Sequence, residues 1–133
     1  MSEQLTIGEV AERSGVAASA LRFYEDKGLL SPRRQGLNRL YSRRDRARLK
    51  LVLLGKRMGF TLVEIRELLD LYDLSSGKVK QLHVALDKFE GQLDHLREQQ
   101  RDIERAIEEL TRVRDETEAL LRQREAEQRS KAA

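Results

Sequence analysis

Residues 5–50 read LTIGEVAERSGVAASALRFYEDKGLLSPRRQGLNRLYSRRDRARLK, and the punctuation of this stretch decides the fold. Thr6 and Glu9 stand three apart, a hydroxyl and a carboxylate that can bond reciprocally to the backbone at a helix start. Ile7, Val10 and Ala11 follow at helical spacing. Gly15 can take the left-handed conformation that ends this first helix at about Ser14. A turn at Gly15-Val16-Ala17 leads to a second helix over residues 18–27, with Leu21 and Tyr24 on its inner face and Gly28 as terminator. Neither Ala17 nor Ala18 carries a side-chain acceptor, so this second start is poorly capped. Two short helices around a glycine turn make a helix-turn-helix.

Downstream, SPRRQGLNRLYS predicts a β-hairpin wing. Gly36 sits in the turn, and Leu40 alternates with Arg39 and Tyr41 across a short strand. Ser42–Asp45 repeats the hydroxyl-plus-acid start and opens a third helix over 43–58, with Ala47, Leu51 and Leu54 expected inward. Gly59-Phe60 breaks it. Thr61–Glu64 starts a fourth helix that ends near Tyr72, with Ile65, Leu68, Leu69 and Tyr72 as its apolar face. A Ser75-Ser76-Gly77 break follows.

From there the periodicity changes. Val79, Leu86, Leu93, Gln100, Ile107, Arg114 and Leu121 recur every seven residues, as do Leu82, Phe89, Leu96, Ile103, Leu110 and Thr117. The two series alternate by three and four, which is the core pattern of a coiled coil. The expected dimer seam is Leu82, Leu86, Phe89, Leu93, Leu96, Gln100, Ile103, Ile107 and Leu110. Gln100 at a core position either fixes register or is a tolerated polar residue. The flanking positions Ala85, Gln92, Gln99, Ala106, Val113 and Leu120 carry no charge, and the apolar stripe is wider than two strands need, so part of it is expected to pack on the compact domain of the same or the partner chain. The domain reading is a DNA-binding unit over 5–73, a dimerisation helix over 76–122 and a polar, disordered tail over 123–133. The fold class is mainly α.

Charge separates along the chain. Residues 1–60 carry 13 Lys/Arg against 6 Asp/Glu, whereas residues 61–133 carry 13 against 17. Between Arg33 and Arg57 ten basic residues face only Asp45. A field this positive beside a helix-turn-helix attracts a polyanion, and the reading is a DNA-binding protein. The chain has no cysteine, which excludes disulfides, thiolate metal sites and iron–sulfur clusters. The two histidines, His83 and His95, are twelve apart on one helix and do not make a metal site. No cofactor is expected, no nucleophile–base pair supports catalysis, and no apolar run approaches the roughly 20 residues of a membrane span. The expected location is the cytoplasm, at the nucleoid, with no membrane partner.

TIGEVAERSGV, LRFYEDKGLL, NRLYS with DRARL, and GFTLVEIRELL together resemble the MerR family of bacterial transcription regulators, over about Leu5 to Tyr72. The resemblance implies a winged helix-turn-helix whose second helix enters the major groove. It also implies a homodimer paired through long antiparallel C-terminal helices. Arg22 and Tyr24 match second-helix positions that touch DNA, Arg39 and Tyr41 match the wing, and Arg43 lies where a phosphate contact is expected. Arginine donates to base edges or phosphates and tyrosine hydroxyls bond phosphate, so the residue types agree; core packing is the other reading for both tyrosines. Arg33 and Arg34 grip phosphate or face solvent. The implied partners are double-stranded promoter DNA, RNA polymerase at that promoter, and an inducer. The implied action is distortion of a palindromic promoter element. The metal- and redox-sensing branches place cysteines where this chain reads DLYDLSSGK, so the expected inducer is an organic small molecule. That ligand is expected where the fourth helix, around Ile65–Tyr72, meets the partner's dimer helix. The wording is similar to cysteine-free regulators of branched-chain amino-acid or acyl catabolism. An architectural, chromosome-organising protein and a ligand-independent repressor remain as alternatives.

Overall fold

The computed structural model describes residues 3–74 and 78–132, the side chains of 72–74 excepted. The expected break at residues 75–77 and the side chain of Tyr72 lie outside the described residues. The elements in chain order are β1 (Leu5–Thr6), α1 (Ile7–Ser14), α2 (Ala18–Asp26), β2 (Arg33–Gln35), β3 (Asn38–Tyr41), α3 (Arg43–Arg57), α4 (Leu62–Leu74) and α5 (Val79–Ala132). The chain divides into two units, residues 1–92 and 93–133.

All three hydroxyl-plus-acid starts form. Thr6 and Ser42 each close a reciprocal capping pair, with Glu9 and Asp45 respectively. At α4, the Thr61 amide donates to Glu64 Oε1 at 2.9 Å and the Glu64 amide to Thr61 Oγ1 at 3.2 Å. Gly15 ends α1 at φ 73°, in the left-handed region. Ala17 caps α2 with no side-chain bond.

The wing is more than a hairpin. β3 is the centre of a three-stranded antiparallel sheet, paired with β2 on one side and with β1 on the other. β1 is only Leu5 and Thr6, too short to announce itself by alternation. Its pairing of Leu5 with Tyr41 ties the hairpin to the start of the helix-turn-helix.

The core of the first unit gathers Leu5, Val10, Leu21, Leu29, Leu30, Tyr41, Val52 and Ile65, with Tyr24, Leu49, Phe60, Leu68 and Leu69 around them. The face of α3 differs from the one expected. Asp45, Leu49, Val52 and Gly55 are buried, while Ala47 is exposed and Leu54 is 41% exposed. Two apolar stripes share this helix, and the stripe with the glycine packs closest. A Cβ on Gly55 would lie 2.8 Å from Ile65 Cγ1, so α3 and α4 approach there because a side chain is missing.

The first turns of α5 lie against this unit. Phe89 meets Phe60 edge-on with ring centroids 6.3 Å apart, Gln92 Nε2 donates to the Met58 carbonyl at 2.8 Å, and Lys88 pairs with Glu67 at 2.6 Å. Ala85 packs on the same core. Phe89 therefore belongs in part to its own chain's core, as expected for part of the wide stripe. Its ring is half-buried with no second chain present.

In the second unit α5 runs alone to Ala132, past the point where apolar spacing ends. The expected disordered tail is helical over 123–132 because Arg, Gln, Glu, Lys and Ala favour helix and neither glycine nor proline interrupts them. Among the described residues no helix is long and apolar enough to cross a membrane.

Candidate nucleic-acid interface

α2 buries Leu21 and Tyr24, which turns Arg22, Phe23, Asp26 and Lys27 outward. Phe23 is 44% exposed, and Lys27 Nζ lies 5.4 Å from the centre of its ring. Arg22 is exposed. This face is cationic with one aromatic surface, which suits base edges and phosphate.

Glu25 organises the neighbouring wing. Its two carboxylate oxygens each accept one wing arginine: Arg39 Nε at 2.7 Å and Arg34 Nη2 at 3.0 Å. Arg34 and Arg39 lie directly opposite each other across the β2–β3 ladder, a like-charge pair that would repel. The carboxylate offsets that repulsion and fixes the sheet to α2. Burial pushes the Glu25 carboxyl upward, but the bonds from Arg39 and Arg34 outweigh it and hold it below the usual carboxylate range. The same bond from Glu25 raises Arg39.

Asp45 fixes the root of the wing at both ends. It accepts from the Ser31 amide at 3.3 Å, before β2, and from the Ser42 amide at 3.0 Å and Ser42 Oγ at 2.9 Å, after β3. Arg48 Nε donates to the Leu29 carbonyl at 3.0 Å and braces the same segment. The one acid within the basic run is thus a buried structural bolt.

The expected DNA-contacting residues separate into two groups. Arg22, Arg33 and Arg43 are exposed, and Arg34 and Arg39 meet at Glu25 beside α2. The tyrosines do not join them. Tyr24 is 3% exposed, and its hydroxyl accepts from Lys56 Nζ at 3.1 Å. Tyr41 is 1% exposed, and its hydroxyl is buried without a hydrogen-bond partner among the described residues. Burial, then the charge of Glu25, pushes its phenol upward. Both side chains are buried, which favours the core-packing reading of Tyr24 and Tyr41 over phosphate contact. β3 alternates with Tyr41, not Leu40, as its fully buried residue. Sequence reasoning missed Glu25 altogether. The available signal was an acid on a recognition helix that precedes a run of arginines.

This geometry is a helix with a cationic face braced by a basic wing. Residues 5–71 match the family model of the MerR HTH family regulatory proteins, and residues 46–120 match the MerR DNA-binding model. The chain belongs to the MerR family. It is a DNA-binding transcription regulator and not an enzyme. Its relatives include the HTH-type transcriptional regulator HmrR of Rhizobium leguminosarum bv. viciae, 33% identical over 108 residues that cover 77% of this chain and 84% of the relative. The mercuric resistance operon regulatory protein of Shigella flexneri is 45% identical over 73 residues, 53% of this chain and 51% of that protein. Among solved structures, HiNmlR, a MerR family regulator lacking the sensor domain and bound to promoter DNA, superposes with a TM-score of 0.61 at 26% identity, over 81% of this chain and 85% of its own.

Proposed function

We propose that the chain acts as a homodimer on a palindromic promoter element, reading one half-site with each α2 and distorting the DNA between them so that RNA polymerase engages or is excluded. The observation that carries this reading is the Glu25 bridge, which sets the angle between the recognition helix and the wing. Arg22 reads base edges, Arg33, Arg34, Arg39 and Arg43 hold phosphates, and the two subunits fix the spacing of about 34–36 Å between half-sites. A stripe left open along α5 supports the dimer. Leu82, Leu86, Leu93, Leu96, Ile103, Ile107 and Leu110 are 38–70% exposed in the single chain, and Gln100 is exposed among them. Pairing those helices antiparallel removes that surface from water. Gel-shift titration of the wild type and Arg22→Ala against selected and random duplexes tests the assignment, and equal affinity of the two proteins for both duplexes contradicts it.

The proposed signal is an organic small molecule. One relative named above is a mercuric resistance operon regulatory protein, yet this chain has no cysteine, and no group of three or more potential metal ligands occurs among its described residues. The favoured place is an apolar cavity of about 280 Å³ lined by Leu51, Leu54, Gly55, Met58, Ile65, Leu68, Leu69 and Phe89. Its volume is near the low end for small-molecule sites, enough for a short acyl group. Phe89 belongs to α5, so filling the cavity shifts the seat of the dimer helix and biases one DNA-bound state by differential affinity. In vitro transcription from the native promoter, in the cytoplasmic setting proposed for it, separates the readings. Short acyl-CoA thioesters alter the transcript level if this proposal holds, and response to a metal ion alone defeats it. Constant repression under every addition favours a ligand-independent repressor.

A further inference from the structure

We propose that Leu37, at the tip of the wing, enters the minor groove flanking each half-site and makes the protein select A·T pairs there. The inference rests on the DNA-binding reading above and adds a second point of sequence selection to it. Leu37 is 98% exposed. Gly36 and Leu37 form the two-residue loop that closes the Gln35–Asn38 pair of the hairpin. Gly36 has φ +62°, and no residue other than glycine has positive φ among the described residues. That order of signs is the one found in II′ turns, where glycine is required first and the second position accepts ordinary polar residues. Neither the backbone nor the core requires leucine here. A lone exposed leucine is common on protein surfaces, but its setting distinguishes this one. It caps a hairpin that carries Arg33, Arg34 and Arg39, and this hairpin is the element that Glu25 fixes to the recognition helix.

Strand residues advance about 3.3 Å each, so the tip lies on the order of 7 Å beyond the Arg39–Glu25 contact. With α2 in a major groove about 12 Å wide, a hairpin rooted beside it crosses the flanking phosphates and its tip reaches the adjoining minor groove. Leucine offers volume there without a hydrogen bond. The minor-groove floor of an A·T pair presents only recessed acceptors. A G·C pair adds the guanine N2 amine, which the leucine would strike and strip of water. Apolar side chains placed in this groove also part flexible base steps and bend the duplex, which serves a regulator that distorts its promoter.

Selection of duplexes from a random pool by the wild type and by Leu37→Ala tests the inference. Binding is then measured on the selected duplex with G·C or inosine·C at the flanking positions. Inosine lacks the N2 amine and keeps the major-groove face of guanine. The wild type is expected to enrich a central motif and flanking A·T pairs, and Leu37→Ala to enrich the motif without the flanks. G·C in the flank should weaken wild-type binding at least about fivefold, inosine·C should restore it, and neither should affect Leu37→Ala. Thermal unfolding of the variant should match the wild type, because the tip packs against nothing. Identical flanks from the two proteins overturn the inference and leave the DNA-binding reading standing. No enriched motif from the wild type overturns both.

Discussion

At Glu25 one carboxylate faces the two arginines that are also proposed to hold phosphate. Glu25→Gln should lower the melting temperature. It should also raise affinity for random duplex while narrowing the gap to the operator, since Arg34 and Arg39 are released from α2 but no longer aimed. The pH dependence has a definite sign. Because the folded-state pKa lies below the unfolded value, the bridge's stabilisation is complete above the unfolded pKa and is lost as pH falls through the folded one. The stability gap between wild type and Glu25→Gln should therefore hold steady from neutral pH down to the ordinary carboxylate range and close only at more acidic pH, as followed by denaturant titration. Tyr41 gives the opposite kind of residue test. Its buried hydroxyl has no hydrogen-bond partner among the described residues, so Tyr41→Phe should leave stability unchanged or raise it by about 1 kcal/mol, with operator affinity intact. A large affinity loss would restore the phosphate role. Arg22→Ala should cost about 1–3 kcal/mol of operator binding if it reads a base edge. Residue type alone could not separate these cases. Arginine and tyrosine both suit phosphate, and only packing decides that Arg22 faces out while Tyr41 faces in.

Among the elements, α3 shows where sequence periodicity stops being informative. Its helix start, capping pair and length follow from Ser42, Asp45 and Gly59, and each forms as expected. Its buried face does not, because Leu51 and Leu54 make as good an apolar stripe as Leu49 and Val52. The first pair lines the cavity and the second fills the core. Glycine breaks the tie: Gly55 marks the close approach of α4. Gly55→Ala should destabilise by about 1–3 kcal/mol through overlap with Ile65, more than the roughly 1 kcal/mol that alanine adds to a helix. Gly91 has open space around its Cβ position, so Gly91→Ala should instead stabilise by up to about 1 kcal/mol. Thermal denaturation of the two variants reads the opposite signs. α5 repeats the ambiguity. Its heptads were plain in the sequence, yet Ala85, Phe89 and Gln92 turn one edge of the stripe toward their own domain. Alternation is likewise too short to reveal β1, which pairs Leu5 with Tyr41.

For the whole molecule, the apolar stripe of α5 and the basic face of α2 imply each other. A lone chain leaves the stripe in water and presents one half-site's worth of contacts. In the proposed dimer, paired chains cover the stripe and couple two half-sites. Leu86→Asp with Leu93→Asp should shift sedimentation from dimer to monomer, because a charge in the seam goes unpaired, and should remove high-affinity binding while leaving weak, salt-sensitive association with any duplex. Footprinting of the full-length protein on genomic fragments tests the central claim most directly. The account predicts a discrete protected site with inverted-repeat symmetry, two chains bound to each site, and distorted DNA between the half-sites. Uniform protection along every fragment, with one chain bound per contact and no symmetric sequence, would contradict it.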